Sequence, residues 1–169
     1  MDKPVVMYME YPRKKPNRLP DYDYSQNGAY FITVCTKDRK HLLSRIAVGT
    51  SIARPPAVQL TRIGQLTETA ILAIPDRYPG VFVDHYVIMP NHVHLILRLD
   101  AGSGRPMVVP TVGRILQQMK GWVTKQANQP VWQSRYYDHV IRDDYDYLIK
   151  YQYIDENPEN WLLRKDEYA

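Results

Sequence analysis

The sequence predicts an α+β fold on a ferredoxin-like, split βαβ plan: an antiparallel sheet with helices on one face, followed by a further C-terminal helix. Three observations predict it. Four runs carry strand chemistry, at Tyr30–Thr36, Val81–Met89, His92–Leu99 and Tyr136–Ile141. Two helical periodicities sit between them, from Val58 and from Thr111. The resulting order is β-α-β-β-α-β and then a helix, the order of that plan. A chain of 169 residues can bury one sizeable core.

Each element has a local reason. The first run, YFITVCT, is β-branched and aromatic. Residues 37–57 read as a long connection ending in Arg54-Pro55-Pro56. From Val58 the pattern turns helical, and Leu60, Ile63, Thr67, Ala70, Ile71 and Ile74 fall on one side at 3.6-residue spacing. Pro75 and then Pro79-Gly80 close that helix. The next two strands, VFVDHYVIM and HVHLILRL, flank Pro90-Asn91 and form a hairpin. Residues 101–110 are a loop. Thr111 is an N-cap for a helix whose apolar stripe is Val112, Ile115, Leu116, Met119 and Val123. The last helix is capped by Asp143 or Asp144 and is expected to stop near Glu156, before Asn157-Pro158. Residues 1–20 read as a basic extended arm with Arg13, Lys14, Lys15 and Arg18, and residues 21–169 as the folded domain.

Composition narrows the function. Hydrophobic residues make up 44% and charged residues 24%, as in a soluble globular protein. No long uncharged apolar stretch suggests a membrane span, and the N-terminus lacks the apolar region of a secretory signal. Cys35 is the single cysteine, so an internal disulfide and a cysteine-based zinc site are both excluded; it reads as a small core residue. These features point to the cytoplasm. The net charge of +4 is compatible with a polyanionic partner. Tyrosines number 14 against 2 phenylalanines, which suits either base stacking or half-buried amphipathic positions.

The chemistry concentrates in two places. His92 and His94 are at i and i+2 of a strand, so both imidazoles project from one face, while Val93, Leu95 and Leu97 take the other. Two neutral imidazoles so placed can grip one metal ion, with a third ligand supplied from elsewhere. On the last helix, Tyr147, Tyr151 and Ile154 form the stripe expected to meet the sheet. Tyr153 lies off that stripe, on the side of Asp146, Lys150 and Asn157, and Asn157 is one turn beyond it. A tyrosine beside an amide on a polar face suits a nucleophile next to a metal ligand. A C-cap role for Asn157 and a surface role for Tyr153 are the plainer alternatives.

Two longer runs carry a resemblance. YVIMPNHVHLIL, Tyr86–Leu97, is similar to the His-hydrophobic-His motif of the HUH superfamily of single-tyrosine transposases, and HVIRDDYDYLIKYQYIDENPENW, His139–Trp161, resembles their catalytic helix. With RLPDYDYSQNGAYFITVCTKDR, Arg18–Arg39, the chain resembles the REP-associated tyrosine transposase branch over most of its length. The resemblance implies a ferredoxin-like fold with a C-terminal catalytic helix. It implies His92 and His94 as metal ligands, Tyr153 as the nucleophile, and Asn157 as the residue completing a site for Mg²⁺ or Mn²⁺. Asn rather than Gln at that place, followed by Pro, is more like the REP-associated branch. The implied reaction is cleavage and rejoining of single-stranded DNA beside hairpins, through a tyrosine joined to a DNA 5′-phosphate. Arg13, Lys14, Lys15, Arg18, Arg114 and Lys120 are candidates to hold phosphates. Monomer and homodimer both fit the resemblance. Rival readings are a domesticated hairpin-binding protein that does not cut and an RNA-binding domain, against which the paired histidines and the missing aromatic RNA-binding string argue. A replication-initiator nuclease would share the histidines, but a tyrosine helix C-terminal to them favours the transposase arrangement.

Overall fold

The computed structural model describes residues 26–48, 55–100, 102 and 110–164. The basic arm, with Arg13, Lys14, Lys15 and Arg18, lies outside the described residues. Four strands form one antiparallel sheet: β1 (Gly28–Cys35), β4 (Val81–Ile88), β5 (His92–Leu99) and β6 (Tyr137–Ile141), in the order β4-β5-β1-β6. That is the ferredoxin-like order. No described helix is long and apolar enough to cross a membrane.

Strand alternation divides the sheet into two unlike faces. Tyr30, Ile32, Val34, Val93, Leu95, Leu97 and Leu99 are buried on the first face. They pack with Ile71 of α1 (Arg62–Leu72), Ile74 of the short α2 (Ile74–Arg77) and the stripe Val112, Ile115, Leu116, Met119 and Val123 of α3 (Val112–Ala127). Every stripe residue expected on α3 is buried, and Thr111 caps that helix by accepting from the Arg114 amide. On the second face Phe31, Ile96 and Ile154 form a smaller cluster under α4 (Asp144–Leu163). α1 and α3 thus share one face, as expected, and the further C-terminal helix α4 covers the other.

A β-bulge makes the second face coherent. The β4–β5 register shifts between Val83 and His85, so Asp84 is the extra residue. Without it, Tyr86 rather than His85 and Val87 would share the face of His92 and His94. The bulge keeps Val81, Val83, Tyr86 and Ile88 on the aliphatic side while turning His85 and Val87 toward α4.

Four expectations need correction. Residues 37–57 are not a plain connection, and the helix does not begin at Val58. Ser44–Ala47 (β2) pairs antiparallel with Ala57–Leu60 (β3), so Val58 and Leu60 belong to a strand. The helix waits for Thr61, whose hydroxyl accepts from the Gly64 amide at 3.1 Å and donates to the Leu42 carbonyl at 2.6 Å. The start is tight: a Cβ on Gly64 would stand 1.9 Å from the Leu43 carbonyl oxygen, so only glycine fits there.

The last helix also does not stop at Glu156. It is capped by Asp143, which accepts from the Asp146 amide, and runs through Pro158 to Leu163. Pro158 removes one backbone donor. The turn beyond it is held from outside, because the Trp161 ring lies 5.4 Å from the His41 ring and 6.0 Å from the His92 ring. Finally, Cys35 is half-buried and is not in the aliphatic core; it is the cross-strand partner of His92 on the α4 side.

Candidate active site

The site is assembled by β5, β1 and α4. His92 and His94 project from the same face of β5 with ring centroids 4.6 Å apart. The Nδ1–H of His92 donates to the Asn91 side-chain oxygen at 2.7 Å. The Nδ1 of His94 is bonded to the Thr33 hydroxyl at 2.8 Å, from the residue directly across on β1. Each ring is thus oriented by a bond on one nitrogen, which leaves the other, Nε2, facing the site.

Both imidazoles are held neutral. Burial, with the Arg39 charge adding to it, pushes the His92 pKa down to about 4, against a smaller opposing effect of its Asn157 hydrogen bond. Burial drives His94 well below the ordinary histidine value, and the neighbouring His92, Lys150 and Arg39 charges act in the same direction. Arg39 approaches through a strained turn in which Asp38 and Arg39 both adopt φ of 55°.

α4 supplies the rest. Tyr153 packs its ring edge-on to His94, with centroids 5.2 Å apart, and against Phe31 at 5.9 Å. Phe31 in turn stacks on His94 at 5.2 Å. Asn157, one turn on, is 7% exposed and hydrogen-bonds His92. A C-cap role is ruled out, since the helix continues beyond it to Leu163. His92, His94, Tyr153 and Asn157 are therefore one constellation, brought together from residues up to 65 apart in sequence.

The expected division of the helix faces is only partly observed. Ile154 is buried against the sheet and Tyr147 packs beside it, but Tyr151 is 37% exposed and stacks on His85. Tyr153 is not on a separate polar side; it flanks the same small cluster from the other edge. The geometry separates the three tyrosines. The Tyr147 hydroxyl donates to Asp84 at 3.1 Å, and burial with that bond pushes its pKa up to about 12. Tyr151 faces His85. Tyr153 alone of the three meets the histidine pair.

The donor set fits a small divalent cation. Two neutral, oriented imidazole nitrogens and a buried amide converge, and turning that amide would present its oxygen to the same point. Among the described residues no group of three His, Cys, Asp or Glu gathers, so a metal held here needs Asn157 as well as the pair.

The phosphate-contact candidates on α3 are elsewhere. Arg114 is exposed and shares an open groove with Thr111, Gly113, Lys120, Ser134 and Tyr136. α3 lies on the sheet face opposite α4, so this groove does not join the histidine pair. The Lys120 ammonium already donates to the Gln133 and Ser134 carbonyls, at 2.6 and 3.1 Å.

Several residues around the site escape a reading of the sequence. Thr33 and Asn91 orient the imidazoles, yet a lone threonine in a strand and an asparagine in a turn give no distinctive signal. Only the register of β1 against β5 pairs Thr33 with His94. His139, bonded to Asp146 at 2.7 Å, and His85, bonded to Asp155 at 2.7 Å, tie α4 to β6 and β4.

No family model matches the chain. It is 34% identical over 164 residues to an uncharacterised protein of Haemophilus influenzae, covering 85% of this chain and 87% of that one. It is 23% identical over 147 residues to the REP-associated tyrosine transposase of Escherichia coli, covering 86% of this chain and 76% of that protein. Among solved structures, that of a REP-associated tyrosine transposase bound to a REP hairpin superposes with a TM-score of 0.60 at 23% identity, over 82% of this chain and 71% of that one. The chain is similar in sequence and in fold to REP-associated tyrosine transposases.

Proposed function

We propose that the chain is a metal-dependent single-stranded DNA endonuclease and strand transferase, acting at hairpin-flanked repeats through a 5′-phosphotyrosine intermediate. The observation that carries this reading is the contact of the Tyr153 ring with His94, beside an imidazole pair kept neutral and oriented. A hairpin as partner is supported by the related transposase that was solved with one.

His92, His94 and Asn157 would hold Mg²⁺ or Mn²⁺, which when bound would neutralise charge on the phosphate under attack. The remaining work falls to the chain. Thr33 and Asn91 keep the imidazoles turned toward the site. Phe31 and Ile154 fix the rotamer of Tyr153 by packing, so its hydroxyl needs no search to reach the phosphorus. Attack joins the phenolic oxygen to the 5′-phosphate and releases a 3′-hydroxyl. Reversal by another 3′-hydroxyl rejoins the strand without an external energy source, because the ester bond is conserved.

The test is a denaturing gel of the protein with single-stranded DNA containing a repeat hairpin, with Mg²⁺ or Mn²⁺. Wild type should form a covalent adduct and Tyr153→Phe none. An adduct that persists in Tyr153→Phe would overturn the assignment of the nucleophile. Tight hairpin binding with no cleavage by wild type would favour a protein that only binds. For binding, Arg13, Lys14, Lys15, Arg18 and Arg114 are proposed to meet phosphates, with Lys120 shaping the α3 groove. About five contacts on single strands would give a log–log salt slope of roughly −3.5, and a slope near zero would refute them.

A further inference from the structure

Lys150 stands three residues before Tyr153 and seven before Asn157, so all three share one side of α4. It is half-buried, and its ammonium lies 5.3 Å from the centroid of the Phe31 ring. That ring also carries His94 at 5.2 Å and Tyr153 at 5.9 Å. Ammonium, imidazole and phenol are thus arranged around one aromatic floor.

The ordinary explanation would be an ion pair with Asp146, one turn earlier on the helix. The structure assigns that carboxylate elsewhere. Its Oδ2 accepts from His139 Nε2 at 2.7 Å and from the Arg142 amide at 3.2 Å. Among the described residues no carboxylate forms an ion pair with Lys150. Its pKa is lowered by burial, with the Asp146 charge opposing the effect. A cation partly withdrawn from water without a contacting anion is costly unless an anion arrives to meet it. The anion that the neighbouring nucleophile requires is a phosphodiester.

We propose that Lys150 is a catalytic residue of this site, its ammonium contacting a non-bridging oxygen of the scissile phosphate as Tyr153 attacks. This rests on the phosphotyrosine reading above. In the step the bond from Tyr153 Oη to phosphorus forms and the bond from phosphorus to O3′ breaks. The electron pair of the broken bond goes to O3′. The phenolic proton leaves to solvent and O3′ takes one up, so charge balances and Lys150 keeps its protons throughout. Its positive charge offsets the negative charge that accumulates on the non-bridging oxygens.

The experiment compares wild type, Lys150→Met, Lys150→Gln, Lys150→Arg and Tyr153→Phe on one hairpin-bearing single-stranded DNA with Mn²⁺. It reads single-turnover adduct formation, DNA dissociation constant and melting temperature for each. Lys150→Met and Lys150→Gln should form adduct on the order of 100-fold more slowly, the scale of a lost oxyanion contact. Their DNA affinity should stay within about threefold and their melting temperature should hold or rise, because an unpaired half-buried charge has been removed. Lys150→Arg should recover most of the rate. Adduct formation by Lys150→Met within about threefold of wild type would overturn the proposal and leave the phosphotyrosine reading standing. So would a fall in melting temperature with no recovery by Lys150→Arg, which marks a structural lysine. No adduct with wild type would sink the phosphotyrosine reading, and this proposal with it.

Discussion

The two faces of the sheet are built from the same strands and do opposite things. Beneath α1 and α3, β5 offers Val93, Leu95, Leu97 and Leu99, all at most 1% exposed and all aliphatic. Beneath α4 the same strand offers His92, His94, Ile96 and Arg98, and the neighbouring strands add Phe31, Thr33, His85 and His139. The first face is held by apolar burial, which is non-directional and tolerant of small shifts. The second is held by ring contacts, histidine–aspartate pairs and hydrogen bonds, which fix angles as well as distances. The alternation of a strand lets one segment serve both purposes residue by residue. Adjacent residues on β5 should therefore separate chemistry from stability.

His94 and Leu95 make the sharpest test. His94→Gln should reduce single-turnover cleavage by roughly 1000-fold, the upper range for loss of a transition-state contact. Leu95→Ala should instead cost about 2–5 kcal/mol of stability, read as a lower urea midpoint. It should leave cleavage by the folded fraction close to wild type. If His94→Gln proves the more destabilising of the two, the division between the faces fails. Gly64→Ala belongs with Leu95→Ala, since its new methyl meets the Leu43 carbonyl and the first turn of α1 must shift.

The same contrast explains what could be read from the sequence. The aliphatic face was legible almost entirely, because periodicity is a direct record of burial: the α3 stripe is buried at every position named. The histidine pair was legible because its spacing matches the pleat. What the sequence hid depends on partners distant along the chain. β2 and β3 are short and exist by pairing with each other. The Asp84 bulge is invisible until the register with β5 is known. α4 continues through Pro158 because Trp161 meets rings from two other segments, against the local rule for proline. Helical angle alone puts Tyr153 on a polar side away from Tyr147, whereas both rings pack against the cluster of Phe31, Ile96 and Ile154.

Acidity should expose the difference between the faces in another way. In metal-free protein, His92 titrates near 4 when folded and His94 is also lowered, against about 6.5 for unfolded histidine. Between about pH 4 and 6.5 the unfolded chain therefore binds more protons than the folded one. Stability should be level above that window and fall as pH drops through it, by roughly 3 kcal/mol for His92 alone. Asp146, whose folded pKa is lowered, should add its loss only below the usual carboxylate value. Urea midpoints in chelator at pH 7.5 and 5.0 would measure the effect. His92→Gln with His94→Gln should flatten the profile; a slope unchanged in that double variant would assign it to other groups.

The smallest effect should come from the outer edge of the α4 face. His85 and Asp155 are 2.7 Å apart, but the aspartate side chain is 58% exposed, and such a pair is worth about 0–1 kcal/mol. Asp155→Asn should therefore barely move the urea midpoint. Its effect on cleavage is the informative quantity. The Tyr151 ring stacked on His85 at 4.0 Å already anchors that flank, and Ile154 anchors the centre. If these contacts suffice, cleavage by Asp155→Asn stays within about threefold of wild type. A tenfold loss at unchanged stability would mean that the position of Tyr153 is set partly by an exposed ion pair, making orientation of α4 sensitive to salt. The matching measurement is cleavage at low and high ionic strength under single-turnover, DNA-saturating conditions, where a rate independent of salt would confine the role of this pair to the surface.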